Sequence, residues 1–532
     1  MTGILAFYGC NKNNSSVSST ASDTSSNSVA KVSYPLRNKG DESQKYGVYY
    51  EIFVRSFADS NGDGIGDLNG VTSKLDYLKS LGIQGIWLMP INPSPSYHGY
   101  DVMDYNSINS DYGTIKDFQN LVAKAHSDGI KVIMDFVVNH TSDKDPWFIA
   151  SKDPKSKYRN YYHWVSQNDS SVDFDSETPW NSKEWHSNGD GYDYFAMFSD
   201  SMPDLNYDNP DVRTEIINSA TKWLNMGVDG FRLDAAMHIY GANEPSTGSM
   251  SRTDKNLKWW NEFAIACEKV NPKVYLCGEA WQSQQVLPEY AQPFDTKFDF
   301  SFQSNLMSAV PNNIAMLADQ SLADAFADSL KQNTDIDKKF IDGVFGANHD
   351  INRIMSQVNE NVSEAKMVAN IYMTLPGNPF IYYGEELGMQ GQGKDENKRE
   401  PLLWSNSKNS MTATWESDSD NSGIEPADKQ MTDKDSLFNY YKSLIALRKA
   451  HPVFFSGTFT SINANTNVMG YLRQDSNEGI YVFNNLLNEA VTFSAKDAKF
   501  GNILFKTNDK CKINGTTITL DADASIIIQQ AK

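Results

Sequence analysis

The stretch Lys131-Val132-Ile133-Met134-Asp135-Phe136-Val137-Val138-Asn139-His140 decides how this chain is read. It is a short β-branched run that closes on polar residues, and the amphipathic segment Ile115–Ser127 precedes it, so a helix leads into a strand. Working outward, the same alternation recurs along the chain. Strands are predicted at Val48–Val54, Gly85–Met89, Lys131–Val137, Gly230–Leu233, Lys273–Cys277, Phe298–Phe302, Gly343–Ala347 and Phe380–Tyr383, with helical segments such as Val71–Leu81 and Val212–Asn225 between them. Eight strands with intervening helices predict an α/β fold, a (β/α)8 TIM barrel rather than an open doubly wound sheet.

The barrel would occupy residues 46–140 and 206–450. Between the third strand and Val212 lie about 70 residues rich in Trp, Tyr, Asp and Ser, too long for a structureless loop, so 141–205 reads as an inserted domain. After Ala450 come short strands, Val468–Leu472, Ile480–Asn484, Ala490–Ser494 and Ser525–Ile528, which predict a C-terminal all-β sandwich over 451–532. Residues 11–45 are polar and of low complexity, unable to offset the entropy of ordering by burying apolar surface. Segment 1–45 therefore reads as a signal remnant and tether. Cys10 closes the apolar run Ile4–Gly9, a pattern like a lipid-attachment site; the alternative is a disordered end with an incidental cysteine. A lipid on Cys10 would be the protein's link to a membrane and would make it an extracytoplasmic, secreted or cell-surface lipoprotein.

The 532 residues carry 47 Lys+Arg against 67 Asp+Glu, a net charge of −20. That balance argues against nucleic acid or an anionic membrane surface as the partner. Mean hydropathy is −0.52, and no apolar run approaches the length of a membrane-spanning helix. Four cysteines are too few and too scattered for a disulfide framework. A monomer is expected.

In a parallel barrel the functional face lies at the strands' C-terminal ends. Four predicted strands end there in polar clusters: Asp135 to Asn139-His140, Gly230-Phe231-Arg232-Leu233-Asp234, Gly278-Glu279-Ala280-Trp281 and Asn348-His349-Asp350. Carboxylates converging at strand ends beside aromatic residues are what glycosidic cleavage requires. Glu279 follows an apolar strand, so desolvation should raise its pKa and keep it protonated for a leaving group. Arg232 lies two residues before Asp234 on the same strand face, where its charge can hold that carboxylate ionised.

With Gly82–Pro90, Met202-Pro203-Asp204-Leu205-Asn206 and Gly377-Asn378-Pro379-Phe380-Ile381-Tyr382-Tyr383-Gly384, these clusters resemble the alpha-amylase superfamily of retaining glycoside hydrolases, from around Tyr46 to the C-terminus. The resemblance implies the same barrel, inserted domain and β-sandwich. It implies Asp234 as nucleophile, Glu279 as general acid/base and Asp350 as a third carboxylate on the sugar hydroxyls. His140 and His349 match the family's transition-state hydrogen-bond donors, Tyr100 the aromatic platform under the scissile sugar, and Arg353 a further subsite arginine. Ala235 after the nucleophile and Met202 before Pro-Asp-Leu-Asn match members acting on α-1,4 bonds, in the group between oligo-1,6-glucosidases and neopullulanases. Met237 departs from the lysine that many alpha-amylases carry there. The implied activity is hydrolysis of internal α-1,4 bonds in starch and maltooligosaccharides. A 4-α-glucanotransferase or neopullulanase-like enzyme would share every catalytic residue. A non-catalytic starch-binding lipoprotein is a third reading, against which all three carboxylates are kept.

Two metal sites are expected, both for Ca²⁺. Asp59, Asn61, Asp63, the Ile65 carbonyl and Asp67 space oxygen ligands as a calcium loop does, although Gly70 at the twelfth position excludes an EF-hand. The resemblance implies a second site at Asn139, Asp204 and the backbone of His238, joining the inserted domain to the barrel.

Overall fold

Eight parallel strands close on themselves in chain order: β1 (Tyr49–Ile52), β2 (Gly85–Leu88), β3 (Lys131–Phe136), β4 (Gly230–Leu233), β5 (Tyr275–Gly278), β6 (Thr296–Phe298), β7 (Ile341–Phe345) and β8 (Asn378–Tyr382). The structure, a computed structural model, describes residues 34–178, 181–282, 285–407, 410–417 and 420–531. Closure is made by β1, which pairs with β2 on one side and β8 on the other, Tyr49 lying between Gly85 and Phe380.

Side chains alternate along each strand, so every second residue fills the barrel interior. The lower part is an apolar plug of Tyr49, Ile133, Tyr275, Phe298, Phe345 and Phe380, all buried, and Trp87 and Cys277 extend it up to the next layer. It is packed tightly enough to exclude a side chain at Gly85, where a Cβ would come within 2.4 Å of the Tyr49 ring. One inward step higher, towards the C-terminal ends, β1, β3 and β4 present Glu51, Asp135 and Arg232. The layer that carries charge therefore rests on a dry aromatic floor.

Two expected elements are redrawn. Strand β6 ends at Phe298 rather than Phe302, because the Asp299 side chain accepts from the Phe302 N–H and caps the helix Phe300–Ala309. The single predicted helix Val71–Leu81 is two, Leu68–Ser73 capped by Asp67 and Leu75–Leu81 stopped at Gly82, whose φ of +105° is left-handed.

The insertion leaves and rejoins the barrel at the upper rim, where His140 bridges Asp204 and Tyr162 bridges Leu205. It holds the helix Pro146–Ser151 and a three-stranded sheet with Tyr192–Phe195 between Trp164–Ser166 and Trp185–Ser187. The C-terminal part is two antiparallel sheets. One orders Thr458–Ser461, Val468–Gln474, Gly479–Asn485, Ala524–Gln530 and Phe500–Lys506; the other orders Val491–Ser494, Thr517–Leu520 and Lys512–Asn514. Phe483, Phe493, Ile518, Ile526 and Ile528 form their shared core. Phe500–Lys506 escapes sequence reading because register shifts break its alternation.

Residues 37–45, expected as part of a tether, are packed on the barrel. Among the described residues, Arg37, Lys39 and Lys45 are buried against the lower face of the barrel. Arg37 pairs with Glu268 at 2.7 Å and Asp295 at 3.0 Å, Lys45 with Asp295 at 2.7 Å, and Lys39 with Asp337 at 2.8 Å. Asp295 at the foot of β6, Asp337 in the loop before β7 and Glu268 on the helix Arg252–Val270 offset the desolvation of these cations, which a polar composition alone does not reveal. Cys10 lies outside the described residues. Cys267, Cys277 and Cys511 are free and buried, and no helix among the described residues is long and apolar enough to cross a membrane.

Adding a methyl group to the full plug should strain it without touching the upper rim. Gly85→Ala is expected to destabilise the fold by about 1–3 kcal/mol, read as a lower midpoint in thermal melting. An unchanged midpoint would show the plug to be looser than its geometry implies.

Candidate active site

Arg232 stands at the centre of the upper layer, 1% exposed, in register with Asp135 on β3 and Cys277 on β5. Its Nη1 donates to both Asp135 oxygens, at 2.9 and 3.1 Å, and to Asp234 Oδ1 at 2.6 Å. Its Nη2 pairs with Glu279 Oε1 at 2.9 Å. One guanidinium thus binds three carboxylates from three successive strands. Asp135 also accepts from the Trp87 indole at 3.2 Å and the Tyr100 hydroxyl at 3.0 Å. After Asp234 the chain turns through Ala235, a non-glycine residue at φ +48°, and the Ala235 N–H donates to Glu279 Oε2 at 2.9 Å. A strained backbone position is thereby used to orient the second carboxyl.

On the opposite side of Tyr100 lies His349. Its Nε2 is 2.7 Å from the Tyr100 hydroxyl and 3.0 Å from Asp350 Oδ2, and its Nδ1 is 2.6 Å from Glu51 Oε1. Tyr100 and His349 stack with ring centroids 5.3 Å apart. Arg399 reaches Asp350 Oδ1 at 3.4 Å and donates from Nε to the His349 carbonyl at 3.2 Å. His140 is joined to the same loop through the Tyr100 carbonyl, 3.0 Å from its Nε2, and its buried Nδ1 has no partner among the described residues.

The electrostatics divide these groups. Burial pushes the Glu279 carboxyl up to about 7, Arg232 opposing and the charges of Asp234 and Asp350 adding to the rise. Asp350 goes the other way: burial would raise it, but the charge and hydrogen bond of His349 hold it well below the usual carboxylate range. His349 is pushed up to about 9, since Asp350 and Glu51 outweigh a burial that favours the neutral ring. Burial lowers His140 and keeps that ring neutral. The site therefore holds one carboxyl pushed up towards neutrality and another held ionised, the kind of division that acid-assisted displacement uses.

Asp234, Glu279, Asp350, Arg232, Tyr100, His140 and His349 are thus brought together at one rim. Arg353 is not. Its guanidinium donates to the backbone carbonyls of Lys398 (2.8 Å) and Tyr383 (2.7 Å) and lies over the Tyr382 and Tyr383 rings at 4.2 and 4.7 Å. The arginine on Asp350 is Arg399. Sequence reading places Asp135 only in a polar cluster, with no role, and does not single out Glu51, Trp87 or Arg399. The inward parity of β1, β2 and β3 points to the first three, whereas nothing in the sequence around Arg399 marks it.

The metal candidates are only partly assembled. Asp59 accepts from the N–H groups of Asn61, Gly62 and Gly64 at 3.1, 2.6 and 2.8 Å, and Asp63 from that of Ile65 at 2.8 Å. This leaves an oxygen-rich loop at the surface of the kind a calcium ion takes. Asp67 lies at the end of the same loop, accepting from the Ser60 N–H and hydroxyl and from the Gly70 N–H at the start of the next helix. At the second candidate, Asp204 is buried beside the neutral Asn139, with Oδ2 lacking a partner among the described residues, and burial lowers the His238 ring to about 4. No group of three or more His, Cys, Asp or Glu side chains among the described residues is placed to hold a metal ion.

Comparison with known proteins agrees with this geometry. Residues 51–457 match the family model "Alpha amylase, catalytic domain", and residues 468–527 match "Alpha-amylase SusG C-terminal domain". The chain is 39% identical over 494 residues to alpha-amylase 3 of Dictyoglomus thermophilum, covering 91% of this chain and 93% of that protein. It is 31% identical over 459 residues to a 4-alpha-glucanotransferase of Thermotoga maritima, covering 85% and 98%. The crystal structure of an alpha-amylase from H. orenii superposes with a TM-score of 0.82 at 41% identity, covering 92% of this chain and all of that one. A closed eight-stranded barrel with carboxylates gathered on its upper rim, and these matches along nearly its whole length, place the chain in the alpha-amylase family of glycoside hydrolases.

Proposed function

We propose that this glycoside hydrolase is an alpha-amylase that cleaves internal α-1,4 bonds of starch and maltooligosaccharides with retention of configuration. The observation that carries the reading is the sharing of one buried guanidinium by Asp234 and Glu279, which holds the two carboxyls side by side, with burial pushing Glu279 towards neutrality. In the first step the Asp234 carboxylate attacks the anomeric carbon while Glu279 gives its proton to the departing glycosidic oxygen. In the second, Glu279 takes a proton from water, whose oxygen displaces Asp234 and regenerates both groups. Asp350, Arg399 and the two histidines hold the sugar hydroxyls, and Tyr100 lies beneath the ring.

Ala235 and Met202 support the α-1,4 preference, as does similarity to enzymes named alpha-amylases. The second reading, a 4-α-glucanotransferase, is favoured by the Thermotoga relative and by Met237, which offers no charge to a leaving sugar. Calcium belongs to the proposal. Asp59, Asn61, Asp63, the Ile65 carbonyl and Asp67 would hold one ion, and Asn139, Asp204 and the His238 carbonyl another; bound there, the ions would cross-link the loops. The polar tract after Cys10 supports an extracytoplasmic location.

Incubated with pure maltoheptaose, the enzyme is expected to release only shorter sugars from the earliest times in chromatography; early chains longer than seven glucoses would make it a transferase. Asp234→Asn should lower kcat by roughly 10⁴-fold or more while the fold stays intact, and substantial residual turnover would overturn the nucleophile assignment. Because Glu279 must be protonated to act, kcat/KM should be retained below pH 7 and lost as pH rises through about 7; an alkaline limb near the ordinary carboxyl range would contradict this role. Chelation should lower the melting temperature and added Ca²⁺ restore it, whereas an unchanged value would remove both metal sites.

A further inference from the structure

We propose that Glu51 is a positioning residue that holds His349 as a doubly protonated imidazolium throughout the reaction. The inference rests on the amylase reading for its kinetic consequence, but not for the protonation state itself. Hydrogen-bond logic carries it. The Tyr100 hydroxyl has one proton, which it donates to Asp135 Oδ2, an oxygen that also accepts from Arg232 and Trp87. Its oxygen is left as an acceptor, so His349 Nε2, 2.7 Å away, must bring the hydrogen. The other neighbour of Nε2 is Asp350 Oδ2, also an acceptor. Across the ring, Nδ1 lies 2.6 Å from the Glu51 carboxylate, whose side chain is 2% exposed. Both ring nitrogens thus face acceptors, and only the imidazolium satisfies both sides.

The charged and titratable groups facing this ring come from every element packed on it: Glu51 from β1, Tyr100 from the loop after β2, Asp350 from its own loop, and Arg399 at its backbone carbonyl. Trp87 of β2 closes the remaining side, its ring centroid 5.7 Å away. The two carboxylates differ in what they can do during turnover. Asp350 is 33% exposed and is shared with Arg399, so it can turn to a sugar hydroxyl. Glu51 sits beneath the rim in the buried charged layer, its side chain 2% exposed, too enclosed to turn to a sugar hydroxyl. When Asp350 is drawn to the sugar, Glu51 remains to keep Nδ1–H in place and Nε2–H available as a donor.

The test uses the full chain labelled with ¹⁵N-histidine, His349 being identified by the signal lost in His349→Asn. In the wild type at pH 8 both His349 nitrogens should be protonated; a neutral ring there would overturn the proposal without any Glu51 variant. In Glu51→Gln, which keeps size and one acceptor, His349 should titrate near the ordinary histidine value of about 6.5. Its kcat on maltoheptaose, relative to wild type at the same pH, should then fall at least about tenfold at pH 8 and recover to within about threefold at pH 5.5. Glu51→Asp, which keeps the charge, should retain the doubly protonated ring. A His349 that stays charged at pH 8 in Glu51→Gln, or a kcat ratio that does not change with pH, would overturn the assignment. If the wild type leaves maltoheptaose uncut, the amylase reading falls, while the nitrogen signals still decide the role of Glu51.

Discussion

The active rim depends on one buried cation. Arg232 is removed from water, a state that costs several kcal/mol unless its hydrogen bonds are replaced by well-placed carboxylates. Asp135, Asp234 and Glu279 supply them, and each is in turn desolvated by the contact. The arrangement locks three strands to a common register and gives the carboxyls different surroundings. Asp135 is tied by Arg232, Tyr100 and Trp87 and works as an anchor. Asp234 keeps one oxygen on the guanidinium, while Glu279 shares its hold between Arg232 and the Ala235 N–H. A lysine there could not replace the fork, because its single charged point lacks the geometry to hold two partners side by side.

The aromatic plug makes that cation tolerable. Tyr49, Phe298, Phe345 and Phe380 fill the barrel below the charged layer and close off Arg232 from beneath. The other end of the barrel solves the same problem in mirror image: Asp295 at the foot of β6 is buried and answered by Arg37 and Lys45 from the N-terminal arm. Charges thus sit at both ends of an apolar column, each paired in place with groups of opposite sign.

The sugar-facing side uses a second set of charges. His349, between Glu51 and Asp350, couples the barrel interior to a carboxylate at the surface of the site, and Arg399 arrives from a distant loop to share it. Arg353 takes no part in that contact; by gripping the Lys398 carbonyl it fixes the backbone from which Arg399 extends.

What the sequence determined was everything set by local period and by motifs at strand ends. Alternating strands and helices specify a parallel barrel because the two periods are properties of neighbouring residues, and polar residues closing an apolar strand must lie on its upper rim. Asp234, Glu279, Asp350 and His349 were legible for that reason, as were the insertion and the β-rich C-terminus. Tertiary structure decided which side chains touch. Arg353 and Arg399 are both arginines near the same rim, and only the path of the loop determines that Arg399 meets Asp350 while Arg353 turns to backbone carbonyls. Glu51 reads as one residue of an apolar strand until closure of β1 against β8 carries it under His349, a partner 298 positions away. These contacts are settled by chain closure and by competition among hydrogen-bond partners, and neither is written in the spacing of residues along the chain.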